Sequence, residues 1–76
     1  MSEFEIGYAN AGDRYWTVRP SRARTLKAAI AAAKRLARSE GESFKYRGYG
    51  PSWIVLDAGE SDDGTKYAFP LAGGRL

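Results

Sequence analysis

The sequence predicts an α+β fold: an antiparallel sheet of four to five strands with one helix packed on one face, in the order β-β-α-β-β-β. Three observations lead there. Several short runs alternate apolar and polar residues at period two, the spacing of half-buried strands. A single stretch, near residues 25–39, carries apolar residues at helical spacing instead. Clusters of Asn, Gly, Asp and Pro separate these runs, and such residues supply turn geometry.

Each element follows in chain order. Phe4, Ile6 and Tyr8 alternate with Glu5 and Gly7 and form the first strand. Asn10 to Asp13 is turn chemistry, since Asn and Gly accept the positive φ that tight turns need. Tyr15 to Val18 is rich in β-formers and pairs back as a hairpin, which Pro20 ends because it cannot donate to a ladder. A helix then runs from about Arg22 or Thr25 to Ser39, with Ser21 or Thr25 as N-cap and Gly41 as its stop. Leu26, Ala29, Ile30, Ala33, Leu36 and Ala37 make its apolar stripe, with Leu26, Ile30 and Leu36 as expected anchors. Full burial of each anchor contributes about 1.5–3 kcal/mol. Phe44 to Arg47 alternates as a third strand, and Gly48 to Pro51 breaks it. Trp53 to Leu56 is apolar on both faces and reads as a central strand. Asp57 to Gly64 is a polar turn, Lys66 to Phe69 a last strand ended by Pro70, and Gly73 and Gly74 a fraying tail.

Seventy-six residues make a single domain, 1–76. A chain of this size buries only about 60% of the surface its unfolded form exposes. With no cysteine there is neither a disulfide framework nor a thiolate zinc site. With no histidine, the usual general base and metal ligand are missing. Ten aromatics within 43% apolar residues supply a hydrophobic core. No apolar run approaches membrane-spanning length and the N-terminus lacks signal character, so the expectation is a cytoplasmic protein, in a bacterial host cell on the resemblance given below, that engages no membrane.

The net charge of +3 is unevenly placed. Residues 1–13 carry three acids and no base; residues 14–38 carry eight bases and no acid; the remainder is mildly acidic. Outside the basic segment the motifs are thin. Arg47, Gly48, Tyr49 and Gly50 match the opening of the RNA-recognition signature, but Pro51 and Ser52 stand where that strand must continue. A glycine-flanked Tyr49 is left with little to pack against and is expected as an exposed aromatic contact. Residues 57–64 lack the alternating acids and closing glutamate of a calcium loop. Serine without histidine would need a desolvated lysine as its base, and a domain with one thin core has little room for such a pocket. The expectation is therefore a non-enzymatic protein that uses no cofactor and no metal.

Within the basic segment, position matters. Arg35 and Arg38 lie in the last helical turns, where the macrodipole favours cations. Arg22, Arg24 and Lys27 lie at or before the helix start, where the same dipole disfavours each by about 0.3–1 kcal/mol. Lys34 and Arg38 are a like-charge i, i+4 pair, with no glutamate within the helix as read to Ser39 to relieve it. Two explanations stand side by side: an external anion, or pairing with the chain's own acids at 57–63. Four cations on phosphates would give a log–log salt slope of about −3.6, so a fourfold rise in salt would cost roughly a hundredfold in affinity. No base-reading set accompanies them, so such binding would be sequence-blind. The expected partner-binding set is Arg22, Arg24, Lys27, Lys34, Arg35, Arg38 and Tyr49.

The helix of residues 25–41 lies between the β-runs 15–18 and 44–47, 53–56 and 66–69. That layout resembles small phage-encoded anti-CRISPR proteins, several of which carry one helix on a bent antiparallel sheet. The resemblance implies a stoichiometric inhibitor, monomer or homodimer, that binds a host CRISPR-type nucleoprotein complex and blocks target DNA. The basic charge speaks against a DNA mimic, which needs an acidic surface. Two other expectations compete: a small basic nucleic-acid-binding or regulatory module using the same flank, and a structural component that oligomerises through a sheet edge.

Overall fold

In the computed structural model, residues 3–41 and 50–76 are described. Four strands and one helix follow in the order β1 (Glu3–Ala9), β2 (Thr17–Pro20), α1 (Leu26–Glu40), β3 (Ser52–Glu60) and β4 (Lys66–Arg75). All pairings are antiparallel, and the sheet order is β2-β1-β3-β4. This is the α+β architecture the sequence predicts, one helix on an antiparallel sheet. The predicted strand at 44–47 lies outside the described residues.

Register determines which side chains share a face. Ile6 stands opposite Val55 and Tyr8 opposite Trp53, so Phe4, Ile6, Tyr8, Trp53 and Val55 project to one side, where α1 covers them. Gly7, opposite Val18 and Ile54, belongs to the other side, which no element of the described residues covers. The result is a two-layer plate.

The fully closed part of the core is small. Ala29, Ala33 and Ala37 are 0% exposed, as is Val55, and Trp53 is 8% exposed. The three alanines recur every four residues and lie in one row along the helix. Their short side chains let the helix backbone approach β1 and β3 closely, with Ile30 and Ala23 packed at the margins. The expected anchors are thus corrected. Ile30 and Leu36 are half-buried, and Leu26 is 40% exposed. Leu26 is the first residue after the cap, and its side chain leans toward the N-terminus, away from the packed row.

The ends of α1 are well defined. Thr25 is the N-cap: its Oγ1 accepts from the Ala28 N–H at 3.1 Å. Ser21, the other candidate, accepts from the Ala23 N–H at 3.2 Å and shapes the lead-in. At the far end the Gly41 N–H donates to the Ala37 carbonyl at 2.9 Å. A Cβ at Gly41 would collide with Pro51 and with the Ala37 carbonyl, so glycine there lets the helix end lie close to the start of β3.

Three readings of the strands change. The second strand is Thr17–Pro20 rather than 15–18, because Tyr8 pairs with Thr17 and leaves residues 10–16 as the connection. Asp57 to Glu60 is paired strand, so the acidic turn shrinks to residues 61–65, closed by a Ser61 N–H to Thr65 carbonyl bond of 2.8 Å. Gly64, at φ +85°, supplies the left-handed step there. The tail does not fray: β4 continues through Pro70, with Gly73 opposite Ile54 and Gly74 opposite Trp53. Proline is tolerated because β4 is an edge strand, and an irregular register at Val55 and Leu56 absorbs the break. Gly74 has a packing reason to be glycine, since a Cβ there would stand 3.1–3.2 Å from the Trp53 indole.

Candidate partner-binding surface

The helix buries one side and leaves the other in water. With Ala29, Ala33 and Ala37 facing the sheet, the opposite arc carries Lys27, Ala28, Ala31, Arg35 and Arg38, all exposed. Small alanines between the cations keep this face low, so the guanidinium and ammonium groups are its most prominent features. From Lys27 to Arg38 the helix rises about 16 Å, at roughly 1.5 Å per residue. Arg22 and Arg24 continue the basic track on the exposed lead-in to the cap.

The electrostatic question raised by the sequence has an answer. The ion pair identified among the described residues joins Arg19 to Glu40 at 3.9 Å, with both side chains about half exposed. A pair so exposed contributes at most about 1 kcal/mol. Arg22, Arg24, Lys27, Arg35 and Arg38 have no carboxylate within 4.0 Å among the described residues. Glu3 lines the same hollow as Arg22 and Arg24 without reaching either. The acids at 57–63 are elsewhere. Asp57 to Glu60 belong to β3, and Asp63 is engaged in its own turn. There the Ser61 hydroxyl donates to the Asp63 carboxylate at 2.6 Å and the Thr65 N–H donates at 2.9 Å. These bonds hold the Asp63 pKa down at about 2, from an ordinary 3.8. Its role is therefore local, fixing the β3–β4 turn.

Lys34 is set apart from the other cations. It is half-buried, and its Nζ stands 5.3 Å from the centre of the Trp53 ring. A cation over an indole at that range contributes about 0.5–1 kcal/mol. The contact gives the Lys34 charge a partner of its own, whereas Arg38, four residues on, is exposed. Tyr49 lies outside the described residues.

The sequence does not single out three exposed aromatics as contact residues, one of them Phe69 on β4, 58% exposed. Tyr15 is 79% exposed and Trp16 is 42% exposed, both on the β1–β2 connection. Their β-forming character favoured a strand, and only the Tyr8–Thr17 pairing releases them into the loop. No group of three or more potential metal ligands occurs among the described residues.

No family model, curated protein or solved structure matches this chain. What the surface can do therefore follows from its own residues: Arg22, Arg24, Lys27, Arg35 and Arg38 are exposed and have no carboxylate partner among the described residues.

Proposed function

We propose that the chain is a non-enzymatic binding protein whose basic helix face and lead-in dock on a nucleoprotein complex, in the manner of an inhibitor of a CRISPR-type surveillance complex. The observation that carries this reading is the unpaired state of Arg22, Arg24, Lys27, Arg35 and Arg38 among the described residues. Cations held together at an exposed surface repel one another, and the three nearest the helix start also oppose its dipole. An external anion, phosphate or carboxylate, relieves both costs. The nucleoprotein target rests on the resemblance of the sequence layout to small anti-CRISPR proteins. A basic track complements the phosphates and acidic edges that such a complex presents where it takes up DNA.

A second reading has its own support. The low, alanine-lined basic arc also suits direct contact with a nucleic-acid backbone, as in a small regulatory module. The two separate experimentally. Capture from a host lysate compares the wild type with the triple variant Arg22→Glu, Arg24→Glu, Lys27→Glu. The inhibitor reading expects a nucleoprotein complex that the wild type retains and the variant loses. Gel shift of free duplex DNA across a salt series tests the module; absence of a shift at low salt removes it.

A further inference from the structure

We propose that the uncovered face of the sheet is an interface between two copies of this chain. The proposal does not rest on the basic helix face, which lies on the opposite side of the plate.

Surface area is the first observation. The chain exposes 5697 Å² at a mass of 8.3 kDa, against about 4,600 Å² for a compact monomer of that mass. The surplus of about 1,100 Å² exceeds the roughly 800 Å² that each partner buries in a standard protein interface. The dimensions agree. The molecule is 16 Å through its thinnest axis, and its radius of gyration is 13.1 Å against about 11.4 Å for a compact chain of this length.

The residues on that face are the second. By register, Val18, Ile54, Leu56 and Pro70 point away from the helix, and Val18 and Ile54 close over Gly7. A shallow hollow there is lined by Trp16, Ile54, Pro70, Leu71, Gly73 and Arg75. Trp16 and Leu71 are 42% and 45% exposed, large apolar side chains with no cover among the described residues. Charged residues on this side include Glu3, Glu60, Lys66 and Arg75 near its ends and Glu5 beside Leu56. An apolar centre with both signs of charge around it is compatible with itself under a two-fold axis.

The third observation removes the competing mode of self-association, strand addition at an edge. One edge, β2, has four residues and ends at Pro20; the other, β4, carries Pro70 and a register irregularity. Both are devices that blunt an edge. The expectation of oligomerisation through a sheet edge thus gives way to face-to-face packing. Two sheets stacked in this way place both helices outside, with their basic faces pointing in opposite directions.

Sedimentation velocity from low micromolar to several hundred micromolar tests this directly, beside the double variant Trp16→Ser, Leu71→Ser. Both side chains are exposed in the single chain, so the variant keeps its fold, checked by circular dichroism. The wild type moves toward twice 8.3 kDa with concentration, and the variant shows a dimer Kd raised about thirtyfold or more. A wild type at single-chain mass throughout, or a dimer that the variant leaves intact, overturns the proposal. Acrylamide quenching of wild-type tryptophan fluorescence gives a reading independent of any variant. Trp16 becomes accessible on dilution while Trp53 stays buried, and quenching that does not change on dilution overturns the proposal equally.

Discussion

Replacing Ala33 by leucine probes the packing that holds this fold. Ala33 is 0% exposed, lies mid-helix between the equally closed Ala29 and Ala37, and faces a sheet whose Val55 is also 0% exposed. Leucine adds three carbons. Were there room for them, their burial would stabilise by roughly 2.4 kcal/mol, at about 0.8 per carbon. The site has none, so the helix must lift from β1 and β3 and carry Ala29 and Ala37 with it. Inserting carbons into a closed core costs about 1–3 kcal/mol, and helix propensity, nearly equal for the two residues, does not offset it. The expected loss is about 2 kcal/mol, a fall in melting temperature of roughly 8–16 °C for a domain of this size. Ala31→Leu, on the exposed arc, changes stability by no more than about 0.5 kcal/mol. Urea unfolding followed by far-UV circular dichroism measures both. A leucine at 33 that leaves stability unchanged or raises it refutes close packing through alanine.

Two further outcomes follow from local contacts. Thr25→Ala removes the bond to the Ala28 N–H and lowers unfolding stability by about 1 kcal/mol in the same assay, whereas Ser at 25 retains most of it. Asp63→Asn tests the β3–β4 turn through its pH dependence. Because the folded pKa of Asp63 lies below its ordinary 3.8, at about 2, its stabilisation is complete above pH 3.8 and declines as pH falls toward 2. The stability difference between wild type and Asp63→Asn is therefore constant from pH 5 to 7 and shrinks across that acid window; a difference that grows there contradicts the assignment.

Much of this fold is legible in the sequence, for identifiable reasons. Phe4, Ile6 and Tyr8 alternate because one side of β1 meets the helix, and that period survives in any register. The helix shows through its 3.6-residue stripe and the Thr25 cap, though the stripe alone does not say that its alanines, rather than its leucines, lie deepest. The C-terminal strand is harder to read. Gly73 and Gly74 look like a tail until the pairing with β3 brings Gly74 under the Trp53 indole. Pro70 looks like a stop until β4 proves to be the sheet edge. Within the candidate surface, the cations ahead of and along the helix are evident from spacing alone. Lys34 is the exception, since only the tertiary fold puts Trp53 beneath it. That the other five have no carboxylate partner among the described residues is likewise a tertiary fact, because residues 57–60 look like turn in the sequence and are strand in the structure.

Affinity capture of a nucleoprotein complex tests most directly the claim that the unpaired cations are the working surface. The wild type and the Arg22→Glu, Arg24→Glu, Lys27→Glu variant are matched for fold by circular dichroism and presented to the same host lysate. The wild type retains a nucleoprotein complex in stoichiometric amount, and reversal of the three charges abolishes retention. Equal recovery by both proteins, or no nucleoprotein complex with either, contradicts the claim.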